Sequence, residues 1–422
     1  MRKGYDQMTE STAKITAETK SKRDRAVFIY MIIVALTGLA LGLSDSVFSN
    51  YFRDAYHVDA FQRGLIEIPR ESPGIISMFI LSGLAFIGDI KLAIIAQILS
   101  IIGIMAMGLL SPSFSVMLIF LFINSLGMHM FIPLYDSIGM SLAKKGDYGT
   151  VMGRFNGVRT AFAMIAGIMV FAGFRAGFFS FTTPIIWNFI IAGVLFTIVL
   201  VLMIYIRKLM TETKSDRPRF VLKKEYGKFY LLALLFGARK QIMYVYGPWV
   251  LIELLDFGAD YMALLIIAGA GIGIFFIPAV GRWIDKYGTA QIMIIEAAIF
   301  LLIYLGYGVI SAGLHGGWLM GMAVVVAVAV AINIADRMTI QFGMVRNIYM
   351  RSIALTPEDV TPTLATGMAM DHVLSILSAI VCGYLWWELG PQYVFVFAGV
   401  LAAVNMFVAM HIKKEEAAAT AA

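Results

Sequence analysis

The chain has 422 residues, 60% of them hydrophobic and 14% charged, with a formal net charge of +6. A soluble domain carries roughly 45–50% apolar and about 25% charged residues, so most of this chain has lipid for a solvent. The basic excess reads as Lys and Arg kept on the cytoplasmic side of a membrane, not as a nucleic-acid surface.

The first 26 residues are polar. The apolar run after them is too long for a cleaved leader and reads as a retained span. A spanning helix needs about 20 apolar residues. On that measure spans fall at 27–52, 61–88, 92–110, 114–142, 153–174 and 183–206. A cytoplasmic linker, 207–228, follows. Then come 229–253, 260–280, 289–311, 317–345, 362–386 and 391–412, with a tail at 413–422. Residues 1–25 and 415–422 are expected to be disordered. Pro112, Pro184, Pro362 and Pro391 sit at span starts, where the missing N–H costs nothing. The linker separates two sets of six spans, 27–206 and 229–412, as a duplicated unit would. With both termini cytoplasmic, about 25 of the 33 Lys and Arg fall on inner segments, among them Lys144, Lys145, Arg217 and Arg219. About 3 fall on outer ones: Arg53, Arg63 and Arg175.

Charges inside spans cost roughly 2.5–3.5 kcal/mol each at a helix centre and call for pairing or function. The basic ones are Arg70, Arg159, Arg239, Lys240 and Arg337. The acidic ones are Asp45, Glu67, Glu71, Asp136, Glu296, Asp336 and Asp371. Spans 3, 6 and 12 carry none, and span 9 carries only Glu296. Spans 3, 6, 9 and 12 are therefore expected to face lipid, and the others to surround a polar path.

The segment joining spans 8 and 9 runs Gly281-Arg282-Trp283-Ile284-Asp285-Lys286-Tyr287-Gly288. It resembles the Gly-x-x-x-Asp-Arg/Lys-x-Gly signature of the major facilitator superfamily. The matching segment of the first half, Ala85-Phe86-Ile87-Gly88-Asp89-Ile90-Lys91, keeps the Asp and a Lys but lacks the leading and trailing glycines. The resemblance implies an all-α membrane protein of twelve helices in two pseudo-symmetric six-helix bundles, a central cavity and alternating access. It implies a gating role for Gly281, Asp285, Lys286, Gly288 and Asp89, spans 3, 6, 9 and 12 on the outside, and a monomer. It selects no substrate.

The interior charges are the candidate site. Adjacent Arg239 and Lys240 point about 100° apart, so one is expected to meet an anionic substrate group and the other a carboxylate, Asp336 or Asp371. Both could instead be ion pairs between helices. Tyr244 and Tyr246 follow at helical spacing and line the cavity or pack. Arg337 and His129 complete the substrate-binding candidates. Asp371 and His372 suit proton coupling or helix–helix hydrogen bonding. Asp136, on the His129 face of span 4, pairs with Arg154 or Arg159 or carries a proton, and Asp336 lies two hundred positions after it. Glu67, Arg70 and Glu71 have ion-pair spacing and read as an outer gate or brace. Asp45 binds a proton or pairs with Arg70.

The rivals are weaker. The five His, at 57, 129, 315, 372 and 411, show no metal-ligand spacing, so no metal and no cofactor are expected. The Gly269–Gly273 run follows no strand, and no nucleotide motif is present. Cys382, the single cysteine, reads as a packed thiol. The chain reads as a proton-coupled secondary transporter of a small organic anion or zwitterion, with efflux of drugs or lipid-like molecules as the alternative. Its partners are the bilayer of the cell membrane, protons and a small-molecule substrate.

Overall fold

The computed structural model describes residues 2–84, 86–143, 148–210, 222–339 and 342–421. The described residues are helical almost throughout, without a strand. In the first half the helices are α1 (Arg2–Ser44), α2 (Phe48–Tyr56), α3 (Ala60–Leu65), α4 (Glu67–Gly83), α5 (Asp89–Leu110), α6 (Phe114–Leu142), α7 (Tyr148–Arg175) and α8 (Trp187–Leu209). In the second they are α9 (Gly227–Trp249), α10 (Ala259–Tyr287), α11 (Thr289–His315), α12 (Ala323–Thr339), α13 (Gly343–Ile353), α14 (Pro357–Glu388) and α15 (Pro391–Ala421). Ten membrane-length apolar segments stand among the described residues, with α1–α2 and α12–α13 each forming one. Helices α4 and α9 are not among the ten: α4 has 17 residues, and α9 carries adjacent Arg239 and Lys240 in its middle.

Several boundaries differ from the sequence expectation. Span 2 bends at Ile66 and ends at Gly83, not residue 88. Span 6 begins at Trp187, after Pro184, and span 10 begins at Ala323. Pro362 lies within α14, whose first residue is Pro357. The signature segment is no loop: Gly281–Tyr287 forms the last two turns of α10. Gly288 ends it at φ 78°, a conformation that favours glycine. Both tails continue as helix, α1 from Arg2 and α15 to Ala421, because Lys, Glu and Ala propagate a helix that the membrane span has already nucleated. Lys144, Lys145, Ala85 and most of the linker, including Arg217 and Arg219, lie outside the described residues.

The packing repeats between halves. In the first, α1 packs on α7 and α8, α5 on α6 and α8, and α4 on α6. In the second, α9 packs on α14 and α15, α11 on α12 and α15, and α10 on α12. These are the same pairs moved by six spans. The halves meet through α7 on α10 and through α3 and α4 on α14. Close approach depends on small residues. Gly38 and Gly42 bring α1 against the α7 backbone at Arg159 and Ala163. Ile95, Ile98, Ile102 and Leu109 form one exposed face of α5, as a lipid-facing helix requires.

At the end away from the chain termini, the far end, the halves are sealed together. Asn50 Nδ2 donates to the Phe257 carbonyl at 3.0 Å. Arg53 donates to the Ile252 carbonyl and reaches Asp256 Oδ1 at 3.1 Å. A Cβ on Gly64 would stand 2.5 Å from the Ala379 carbonyl oxygen, so α3 and α14 touch backbone to backbone. At the terminal end the halves splay. Helices α7 and α10 touch at Gly167 and Ile267, whereas Gly157 and Gly153, nearer the terminal end of α7, have nothing within 4 Å of a built Cβ. Also at this end, Lys223 Nζ holds both Asp359 oxygens at 2.7 Å, and the Tyr226 hydroxyl donates to Asp359 at 2.6 Å. Those donors hold the Asp359 carboxyl below its ordinary range, and the carboxylate raises Lys223.

Candidate functional site

A cavity of about 260 Å³ lies between the halves, beneath the sealed far end. It is lined by α1 and α2, α3 and α4, α9, α10 and α12. None of its lining residues comes from spans 3, 6, 9 or 12.

Irregular backbone borders it on two sides. A 3-10 turn, Asp45–Val47, interrupts span 1 and places Asp45 and Ser46 on the wall. A π turn, Val250–Leu254, follows Pro248 in span 7 and contributes Ile252. Non-helical backbone at membrane depth is tolerated where it lines a cavity. Ser44 and Ser46 hydroxyls take up the Ala40 and Gly42 carbonyls at the break, at 3.0 and 2.6 Å.

Four charged groups face the cavity together with Arg63: Asp45, Arg70, Asp336 and Arg337. Arg337 Nε donates to Asn333 Oδ1 at 3.2 Å. Its guanidinium has no carboxylate within ion-pair distance among the described residues. Gly269 makes room for it, because a Cβ there would stand 3.0 Å from Arg337 Cδ. Arg70 lies over the Tyr244 ring at 4.5 Å and donates to its hydroxyl.

A buried brace underlies this wall. Glu67 accepts from Arg63 at 2.5 Å, from Arg70 at 3.1 Å and from Gln241 Nε2 at 2.5 Å. Two of these donors are on its own half and Gln241 is on the other, so the brace joins the halves. The sequence reading placed Arg63 on an outer segment. It is fully buried, on α3, one turn before Glu67. The capping box at Asp59 and Gln62 starts that short helix and fixes its register.

Three more clusters hold most of the remaining charges. Lys240 Nζ reaches both Asp371 oxygens at 2.8 and 3.0 Å, and the Ser375 hydroxyl adds a third donor at 3.1 Å. Arg239 does not reach the cavity. It lies inside the second half, 3.4 Å from Glu296 and 3.2 Å over the Phe300 ring. Arg346 bonds both Glu296 oxygens at 3.0 and 3.1 Å. Sequence reasoning put Arg346 outside the spans and missed this partner; its period with Met338, Phe342 and Tyr349 on one buried face was the available signal. In the third cluster His372 Nδ1 meets Glu71 Oε2 at 2.9 Å, and the His129 and His372 rings are 5.2 Å apart. Helix spacing gave no metal set, yet ligand atoms of Glu71, His129 and His372 all lie within 4.8 Å of one another.

Asp136 is exposed on α6, with Arg159 as its charged neighbour, and is not on the cavity wall. Tyr246 is buried and donates to the Ala379 carbonyl at 2.6 Å. Of the signature residues, Asp285 and Lys286 are exposed at the splayed end, and Lys286 lies 5.0 Å over the Tyr287 ring. Asp89, in the first half, is buried and accepts from the Ser137 hydroxyl at 2.5 Å.

The family model described as Major Facilitator Superfamily matches residues 30–352. No curated protein sequence matches the chain. Among solved structures, the nucleoside transporter NupG is similar with a TM-score of 0.71 at 15% identity, over 92% of this chain and 99% of that one. The POT family transporter PepTSo gives 0.72 at 12% identity, over 93% and 98%. A bacterial homologue of the iron transporter ferroportin, in an inward-facing state, gives 0.69 at 13% identity, over 92% and 98%. At such identities the likeness is one of fold.

Proposed function

The chain belongs to the Major Facilitator Superfamily, and on that premise we propose that it is a secondary transporter of a small, polar organic anion or zwitterion. The multi-pass helical fold and the transporter relatives support transport rather than enzyme chemistry. The similar structures are those of a nucleoside transporter, a POT family transporter and a homologue of an iron transporter, so they do not choose the cargo.

The observation that carries the substrate class is Arg337, a guanidinium facing the cavity with only an amide oxygen as partner among the described residues. A cation in a membrane interior is costly when unpaired. An anionic group of the substrate supplies what the protein leaves out. Asp45 and Asp336 on the same wall suit the amino group of a zwitterion or a coupling proton. Size argues in the same direction. Drug-sized ligands occupy sites of about 300–1,000 Å³, and this cavity holds about 260 Å³. A small polar solute fits better than the bulky lipophilic cations of an efflux pump.

The sealed far end and the splayed terminal end form one of the two states of alternating access. The positive-inside distribution supports a cytoplasmic terminal end, which makes this state inward-facing. In this reading the exposed Asp285 and Lys286 make contact in the opposite state, when the terminal end closes.

The test is melting of the purified protein against organic anions, amino acids, sugars and cationic drugs. A ligand that binds only the folded state raises the melting temperature by mass action. An anionic or zwitterionic hit, lost in Arg337→Ala, is the expected result. A hit that survives Arg337→Ala unchanged, or hits confined to lipophilic cations, would sink the proposal.

A further inference from the structure

Glu71, His129 and His372 are on three different helices, α4, α6 and α14, and two of those belong to one half and one to the other. We propose that they form a site for a divalent transition ion of the Zn²⁺ class, and that its occupancy holds the two halves in the far-end-closed state.

The donor set is the first argument. Two imidazoles and one carboxylate suit Zn²⁺, Co²⁺, Ni²⁺ or Cu²⁺ and not Mg²⁺ or Ca²⁺, which prefer all-oxygen shells. The ligand atoms lie within 4.8 Å of one another. Tetrahedral bonds of about 2.0–2.2 Å need ligands about 3.3 Å apart, so side-chain rotations on the order of 1 Å close the site.

Tautomer geometry is the second. His129 Nδ1 is 2.9 Å from the Ser125 carbonyl oxygen, to which it donates. That leaves the Nε2 lone pair free for a metal, the arrangement in which a ligating imidazole gives its other N–H to a backbone carbonyl. Space is the third. A Cβ at Gly74, one turn beyond Glu71, would stand 2.6–2.7 Å from three ring atoms of His372. Only glycine leaves the His372 ring room to sit against Glu71.

The neighbouring cations have bonding partners outside the site. Arg70, the residue before Glu71, is committed to Glu67 and Tyr244. Lys240 is committed to Asp371, the residue before His372. The side chains of His372 and Glu71 keep 15% and 11% exposure, so solvent reaches them. Three protein ligands leave a fourth position for water, which suits reversible binding. Because His372 must part from Glu71 and His129 when the far end opens, an ion bound to all three favours the closed state by its differential affinity.

Calorimetric titration of the purified wild-type protein with ZnCl₂ is expected to show one saturable site, with no heat from MgCl₂. His129→Gln and His372→Gln should each weaken Zn²⁺ binding at least about tenfold, since even second-shell changes cost 10–100-fold. Gly74→Ala keeps all three ligands and should weaken binding too. No saturable site, or the same affinity in the His129→Gln/His372→Gln double variant, would overturn the assignment. The clamp rests on the alternating-access reading and has its own readout. Spin labels at His57→Cys and Leu389→Cys, both at the far end, should collapse to the short-distance population when Zn²⁺ is added. An unchanged or longer distance, with calorimetric binding intact, would overturn the clamp and leave the site standing.

Discussion

The bond from Gln241 to Glu67 is the most informative single contact to remove. It is buried, 2.5 Å long, and joins α9 of one half to α4 of the other. A hydrogen bond to a charged group contributes about 1.5–3 kcal/mol net. Gln241→Ala removes it, while Glu67 keeps Arg63 and Arg70, so the fold is spared the loss of a buried charge partner. On the proposed alternating-access cycle, opening of the far end breaks this contact between the halves, so the whole loss falls on the closed state. Every 1.4 kcal/mol is tenfold, and the open population should rise by about tenfold to a hundredfold. The assay is the labelling rate of Ser46→Cys, on the cavity wall, by an impermeant thiol reagent added to the far side of sealed vesicles. The native Cys382 is buried and stays silent. Labelling should accelerate by that factor, and more in Gln241→Glu, which sets two carboxylates together. An unchanged rate in Gln241→Ala would refute the claim that this brace holds the far end shut.

Other outcomes follow from the same contacts. Glu296→Gln leaves Arg239 and Arg346 without their buried anion and should lower stability by about 3–5 kcal/mol in a denaturant titration. Arg239→Lys should also destabilise, because an ammonium cannot stack flat on Phe300; unchanged unfolding in both would mean the triad is not a brace. Gly64→Val forces α3 off the Ala379 backbone and should shift spin-label distances at the far end to longer values. The Lys223–Asp359 latch has a worked pH window. Asp359 is depressed from 3.8, so its contribution is full above that value and is lost as pH falls through the lowered folded-state value. Lys223 is raised from 10.5, so its contribution is full below that value and is lost as pH rises through the raised one. The hydrogen-exchange protection factor at the α9 start, with the intrinsic pH dependence of exchange divided out, should therefore be flat between those limits in wild type. A midpoint near neutral pH would contradict the latch.

The all-helical membrane architecture and the absence of spans 3, 6, 9 and 12 from the cavity wall were legible in the sequence, because each depends on local composition. A run of apolar residues is apolar whatever it packs against, and a helix without interior charge has no reason to leave the lipid. The i, i+3 and i, i+4 spacing of Arg63, Glu67 and Arg70 is local in the same sense, although Arg63, at the edge of span 2, was counted among the outer residues.

Partner choice was not legible. Adjacent Arg239 and Lys240 carry like charges, yet one is buried with Glu296 and the other meets Asp371 of α14. Nothing along the chain separates them; the rotation of α9 against α11 and α14 does. The same holds for Glu71, His129 and His372, which share no helix and meet only where the halves close. Sequence by itself determined that this chain is a multi-pass helical membrane protein and that its charges must be paired or used. The tertiary structure alone decided which are paired and which face the cavity, because a charge finds its partner across helix interfaces set by packing, not along the chain.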